Sequence, residues 1–273
     1  MRNKSLLVAG ALLAAAAAGP ASAHDTWFQP LPGPGAQQLA LGTGNQFPVQ
    51  EVPVGAASLV GSGCRGSDGR VAPLRVLVEA PTALRLQVPS ADAVSCWAQQ
   101  SSFEVDLPAD KVALYLREIN PPSWVRGEWA RLQAAGLPWK ERYAKHARIE
   151  LRGAGGAGGA GGAAQPVPMA MDVVLDERAP RVGQTLGFQV LRDGQPLADQ
   201  AVELRGEMSR LGIWRRTDAE GRARIDPPLA GRWVLRGTDL RRSASVPDQF
   251  ESRFFNVAFE VARRDTAIKP AVP

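Results

Sequence analysis

Gly187-Phe188-Gln189-Val190-Leu191-Arg192-Asp193-Gly194 is the stretch that decides the fold. A short run rich in aromatic and branched side chains ends at Asp-Gly, the pair that supplies the two positive-φ positions of a tight hairpin. The same punctuation continues outward. Residues 169–175 precede it as a strand, and 201–205, 214–217, 222–225, 233–236 and 254–261 follow. Asp218-Ala219-Glu220-Gly221 reads as the turn between two of these strands. Short strands at such spacing predict an immunoglobulin-like or transthyretin-like β-sandwich over 166–262.

The first half carries the same period with weaker punctuation. Residues 37–42, 74–79, 83–88, 103–107 and 111–117 alternate apolar and polar, and Pro81, Pro89 and Pro108 separate them. In the last of these runs Val112, Leu114 and Leu116 share one face, so it is expected as a strand. Asn120-Pro121-Pro122 then breaks the pattern. Ser123 is a candidate cap for one short helix near 123–136, with Gly136 and Pro138 as its stop signals. Residues 142–151 alternate again. Tyr143, Lys145, Ala147, Ile149 and Leu151 share one face, and Arg142, Ala144, His146, Arg148 and Glu150 share the other. A strand here is expected to turn His146 and Arg148 toward solvent, although 139–146 also fits a helix. The Gly/Ala repeat that begins at Gly153 has no side chains to bury and is expected to be a linker over 153–165. The expected organisation is mainly β, with two sandwich-like domains at 24–152 and 166–262 and a tail at 263–273.

Composition sets further bounds. With 45% hydrophobic residues in 273, the chain can bury two modest cores. Its formal charge of +5 is too mild to imply nucleic acid, and no nucleic-acid motif is present. Residues 1–23 have the form of an export signal. Arg2 and Lys4 are the basic start, an alanine- and leucine-rich core follows, and Ala21-Ser22-Ala23 is the small-residue cleavage site, with cutting after Ala23. The apolar core is short for a membrane span, and no later stretch is long and apolar enough for one. The processed chain is therefore expected to be periplasmic or secreted. In such a compartment Cys64 and Cys96, which lack CxxC spacing, are expected to form a structural disulfide rather than a thiolate metal pair. Closing that loop stabilises by roughly 3–4 kcal/mol in the chain-entropy view.

Four segments, in order, resemble a known family. His24-Asp25-Thr26-Trp27-Phe28 resembles the His-x-x-Trp start of exported bacterial proteins in the family called domain of unknown function 4198. Glu141-Arg142-Tyr143-Ala144-Lys145-His146-Ala147 resembles its Tyr-x-Lys-Tyr-Ala-Lys segment. The run from Val190 to Ala198 resembles its hairpin, and Thr217-Asp218-Ala219-Glu220-Gly221 its turn. The resemblance implies an exported protein, and the family's naming links it to nickel or cobalt uptake. This chain departs from the pattern at the Gly/Ala repeat and at His146, where the family typically has an aromatic residue.

Only His24 and His146 are histidines. Cleavage after Ala23 would make His24 the first residue, with its amine and Nδ1 able to chelate one metal. That amine has a pKa near ~8 and loses its proton readily to a competing metal. Two nitrogens suit copper(II) best, then nickel(II) and zinc(II), by ligand type and affinity order, and the resemblance adds cobalt(II). Asp25 and Glu51 are candidate oxygen ligands, and His146 would complete a three-nitrogen brace. The bland alternatives are that His24 merely follows a cleavage site and that His146 is a solvated strand residue.

Other chemistry finds little support. Gly42-Thr43-Gly44 lacks the third glycine and helix of a nucleotide loop and reads as a tight turn. The tryptophans are scattered, as core anchors are. The many arginines of the second half read as a solvated face. No G-x-S-x-G or H-E-x-x-H occurs. The leading expectation is a non-catalytic metal-binding accessory protein, partnered with a metal importer or another envelope protein. An adhesion or scaffold module without metal is the first alternative, and a copper oxidase the second. If the export reading holds, amino-terminal sequencing of the protein recovered outside the cytoplasm yields His-Asp-Thr-Trp. A start at Met1 would overturn it.

Overall fold

The computed structural model describes residues 25–32, 37–152, 163–209 and 211–264. The expected signal segment 1–23, most of the expected linker and the end of the tail lie outside them. In chain order the first half forms β1 (Asp25–Leu31), β2 (Gln38–Gly44), β3 (Val52–Pro53), β4 (Leu59–Gly66), β5 (Val71–Ala72), β6 (Arg75–Glu79), β7 (Leu84–Gln87), β8 (Ala93–Gln100) and β9 (Phe103–Leu107). Helices α1 (Ala109–Ile119) and α2 (Trp124–Ala134) follow, and then the long strand β10 (Trp139–Glu150). The second half forms β11 (Met171–Leu175), β12 (Leu186–Arg192), β13 (Gln195–Pro196), β14 (Ala201–Gly206), β15 (Ile213–Arg216), β16 (Arg222–Ile225), β17 (Gly231–Arg242) and β18 (Gln249–Val261).

The protein is mainly β, as its alternating runs predict. The Asp193-Gly194 hairpin is present, with φ of 50° and 75° at its two turn residues, joining β12 to β13. Two expectations are corrected. Residues 111–117 lie in a helix, not a strand, so there are two helices where one was expected. The deciding pattern is Val112, Tyr115, Leu116 and Ile119, all buried and spaced by three and four, whereas Leu114 is 44% exposed. Asn120, in the left-handed region at φ 45°, ends that helix. Gly42 and Gly44 belong to β2 rather than to a turn. A Cβ on Gly44 would sit 2.1 Å from the Val49 carbonyl oxygen, so the glycine permits close backbone approach.

One nine-stranded sheet runs through both halves of the chain, in the order β15-β14-β17-β18-β10-β8-β4-β5, with β9 also paired to β10. The join is a parallel pairing of β10 with β18, from Lys140↔Gln249 to Ile149↔Ala258. Because side chains alternate across a strand, this sheet has two buried faces. One face packs on the sheet built from β1, β2, β3, β6 and β7, through Phe28, Leu41, Leu86, Ala147, Ile149 and Ala258. The other packs on β11, β12, β13 and β16, through Val173, Phe188, Val202, Leu235, Phe255 and Val257. Cys64 and Cys96 lie opposite each other on β4 and β8 and form the expected disulfide.

The helices sit beside the β1–β2 sheet, on the same face. Trp139 is their anchor. It stacks on Phe250 at 4.0 Å between centroids and receives the edges of Tyr115 and Trp129. Each such ring pair contributes roughly 0.5–1.5 kcal/mol beyond burial.

Part of the β10 face read as solvated is buried against the second small sheet: His146, Arg148 and Glu150 are covered, while Arg142 stays exposed. Arg148 is fully covered there. Its Nε donates to Glu150 at 2.6 Å, its Nη1 to both oxygens of Asp172 at 2.9 Å, and its Nη2 to the Gln165 carbonyl at 2.9 Å. Burial works against its charge, but the carboxylates of Glu150 and Asp172 outweigh that effect and raise its pKa. This charge therefore ties β10 to β11 across the layer boundary. Arg148→Ala would strand two buried carboxylates. It is expected to cost about 3–5 kcal/mol in chemical denaturation, and a loss under about 1 kcal/mol, the ordinary range of a surface ion pair, would contradict this role.

Candidate functional site

A cavity of about 420 Å³ lies where the β1–β2 sheet and the helical pair leave a gap on their shared side of the large sheet. Its size is within the usual range for small-ligand sites. Residues from β10 lie along it in alternation as Glu141, Tyr143 and Lys145. Thr43, Val52 and Pro53 line one side, and Phe103, Val105 and Tyr115 the other. Gln100 of β8 and Phe254 of β18 also line it.

Glu141 is buried and saturated. It accepts hydrogen bonds from Tyr115 at 2.7 Å, from the Trp139 indole at 2.8 Å and from Ser252. Burial raises its pKa, while the three donors pull the other way. Burial, together with the neighbouring Glu141 carboxylate, also raises the Tyr115 hydroxyl pKa. Lys145 differs from both. Its ammonium lies 5.7 Å from the Tyr143 ring centre and has no carboxylate or hydrogen-bond partner among the described residues. Burial lowers its pKa to about 8, with the Asp25 charge opposing that shift. Gln100 donates to Ser58 at 3.2 Å, but its Oε1 is buried without a partner.

Next to the cavity, Asp25 begins β1 opposite Gly44. It is buried and ion-paired to Arg236, which also reaches Glu203 at 2.6 Å. Arg205 meets the same Glu203 carboxylate at 2.9 Å. Two carboxylates are thus shared by two guanidiniums. Asn256 donates to the Thr26 carbonyl and holds β1 on the large sheet.

The sequence-predicted metal residues do not come together as one cluster. His24 and the cleavage residue Ala23 lie outside the described residues. Asp25 is in the buried ion pair, with Oδ1 lacking a hydrogen-bond partner. Glu51 is exposed and accepts from the Asn45 amide and side chain at 2.9 and 3.0 Å. His146 neighbours Lys145 on β10, so alternation turns it to the opposite face of the sheet from the cavity. It is not the solvated residue expected, but is 1% exposed. Its Nδ1 lies 3.0 Å from the Phe254 carbonyl, and Nε2 has no partner. Among the described residues no three His, Cys, Asp or Glu side chains are grouped to hold a metal ion.

Lys145, Gln100, Tyr115, Glu141 and Arg236 are site residues that the sequence pattern does not mark as such. One signal for the first was visible: a lysine on the otherwise apolar face of 142–151. Arg236 had none, because its strand reads as one more arginine-bearing edge.

The chain matches the family described as Domain of unknown function (DUF4198) over residues 21–238, and it belongs to that family. The matched region takes in the candidate terminus, the cavity lining other than Phe254 of β18, and the Asp25–Arg236 pair. No curated protein and no solved structure matches the chain.

His146 also sets a pH dependence. Burial lowers its pKa to about 4; the Phe254 carbonyl and Asp193 oppose this shift, while Arg253 adds to it. The imidazole is therefore neutral in the folded protein but protonates near ~6.5 when unfolded. Stability from this site is full above that value and falls as pH drops towards 4, by roughly 3 kcal/mol. His146→Asn keeps a donor for the Phe254 carbonyl and removes the titration. Unfolding free energy measured between pH 7 and 4 should therefore fall less steeply in the variant, and parallel curves would refute the assignment.

Proposed function

We propose that this is an exported, non-catalytic protein that handles a transition metal ion through a processed terminus beginning at His24. The observation that carries this reading is Asp25 Oδ1, a buried carboxylate oxygen without a hydrogen-bond partner among the described residues. It belongs to the residue one peptide bond beyond His24. Cleavage after Ala23 would put a free amine and an imidazole on the residue bonded to Asp25. Asp25 Oδ2 is engaged by Arg236, and β1 is held in register with β2, so the oxygen is pre-positioned. Preorganised ligands lower the ordering cost of binding.

Two nitrogens and one carboxylate oxygen fit copper(II) most strongly and nickel(II) next, with cobalt(II) weaker. The ion is cargo in this reading, buffered or passed to an importer in the envelope. His146 is left out of the ligand set because it faces the other side of the sheet. The same placement leaves a histidine-brace oxidase without its second imidazole.

The test uses three forms: the processed protein starting at His24, a form retaining methionine before it, and processed His24→Ala. Each is titrated with copper(II), nickel(II) and cobalt(II) by calorimetry. The processed form is expected to bind one equivalent, and the other two more weakly by at least about tenfold. Equal affinity in all three, or no binding by the processed form, would overturn the reading.

A further inference from the structure

The cavity has features that a terminal metal site does not use. Its lining is largely apolar, from Val52, Val105, Phe103 and Phe254. Within it stand two polar groups with unmet bonding capacity: the Lys145 ammonium and the buried Gln100 Oε1. Buried polar groups are normally satisfied, so Gln100 Oε1 points to a missing partner, while the half-buried Lys145 ammonium opens onto the same cavity. The charges around the cavity say which kind. Asp25 and Glu203 are already shared by Arg236 and Arg205. Glu141 is surrounded by three donors, and burial favours its neutral form. Lys145 is left as a cation without a contact ion pair, because the Asp25 carboxylate that acts on it is already held by Arg236.

We propose that this cavity binds a small organic monocarboxylate with an apolar or aromatic body. The carboxylate pairs with the Lys145 ammonium, and the body packs against Phe103, Tyr143 and Phe254. A single cation without an accompanying arginine fork suits one negative charge rather than a phosphate dianion. Gln100 Oε1 accepts a hydrogen bond from a hydroxyl or amine on the same ligand, which favours a hydroxy or amino acid over a plain acid. The site does not require the metal.

Three probes separate these contributions: 3-phenyllactate, 3-phenylpropionate, which lacks the hydroxyl, and 3-phenylpropan-1-ol, which lacks the carboxylate. Calorimetry on the full processed protein, with a chelator present, should give one-to-one binding of phenyllactate. The alcohol should bind at least about tenfold more weakly, the usual effect of losing a charge-assisted hydrogen bond. Lys145→Met should abolish the preference for acid over alcohol, and Lys145→Arg should retain it, with melting curves confirming that both variants fold. Acid and alcohol binding equally, no binding of either acid, or an undiminished acid preference in folded Lys145→Met would each overturn the proposal. Because metal is chelated throughout, this outcome is independent of the copper, nickel and cobalt titrations.

Discussion

The parallel pairing of β10 with β18 is the constraint on which the rest depends. It joins strands that lie on either side of the Gly/Ala repeat and makes their sheet continuous. Parallel pairs are found where both faces of a sheet are covered, and both are covered here. Where β10 is buried, the cost of covering its charged groups is met by partners on each face. On one face Glu141 takes three donors. On the other, Arg148 takes two carboxylates and a carbonyl. A register slip of one residue would exchange these faces and strand both sets.

The second organising element is the cluster where β1 meets β14 and β17. Burying charge costs several kcal/mol per ion unless partners restore what water supplied. Asp25, Glu203, Arg205 and Arg236 offset most of that cost among themselves, with Asp25 Oδ1 left open. The result is a first strand held by fixed charges next to a cavity whose own lysine is unpaired. The metal reading and the carboxylate reading use different parts of this neighbourhood. The first uses the remaining oxygen of Asp25, the second the ammonium of Lys145.

Much of the strand content was legible because alternation and turn residues are local. The Asp193-Gly194 hairpin follows from backbone geometry alone, and the Cys64–Cys96 pairing follows from there being only two cysteines and an expected oxidising compartment. The first helix was not legible from alternation, because Val112, Leu114 and Leu116 also fit a strand. Tyr115 and Ile119 break the tie only once their burial is known. The site was legible in part. Asp25 was named for its position after His24, but its arginine partner lies more than two hundred residues away in the chain. Lys145 was visible as an oddity on an apolar face, without any sign of the cavity beside it.

By itself the sequence determined the periods, turns and breaks: where strands run, where the chain reverses, which cysteines pair, and that His24 would lead the chain if cleavage follows Ala23. Those features depend on neighbours a few residues away. Only the tertiary structure decided that His146, Arg148 and Glu150 on the polar face of β10 are buried, that His146 and Lys145 face opposite layers, and that Arg236 reaches Asp25. A strand's own pattern says which residues share a face, but not what covers it. That depends on the sheet order, which arises from pairings between distant segments that no local period encodes.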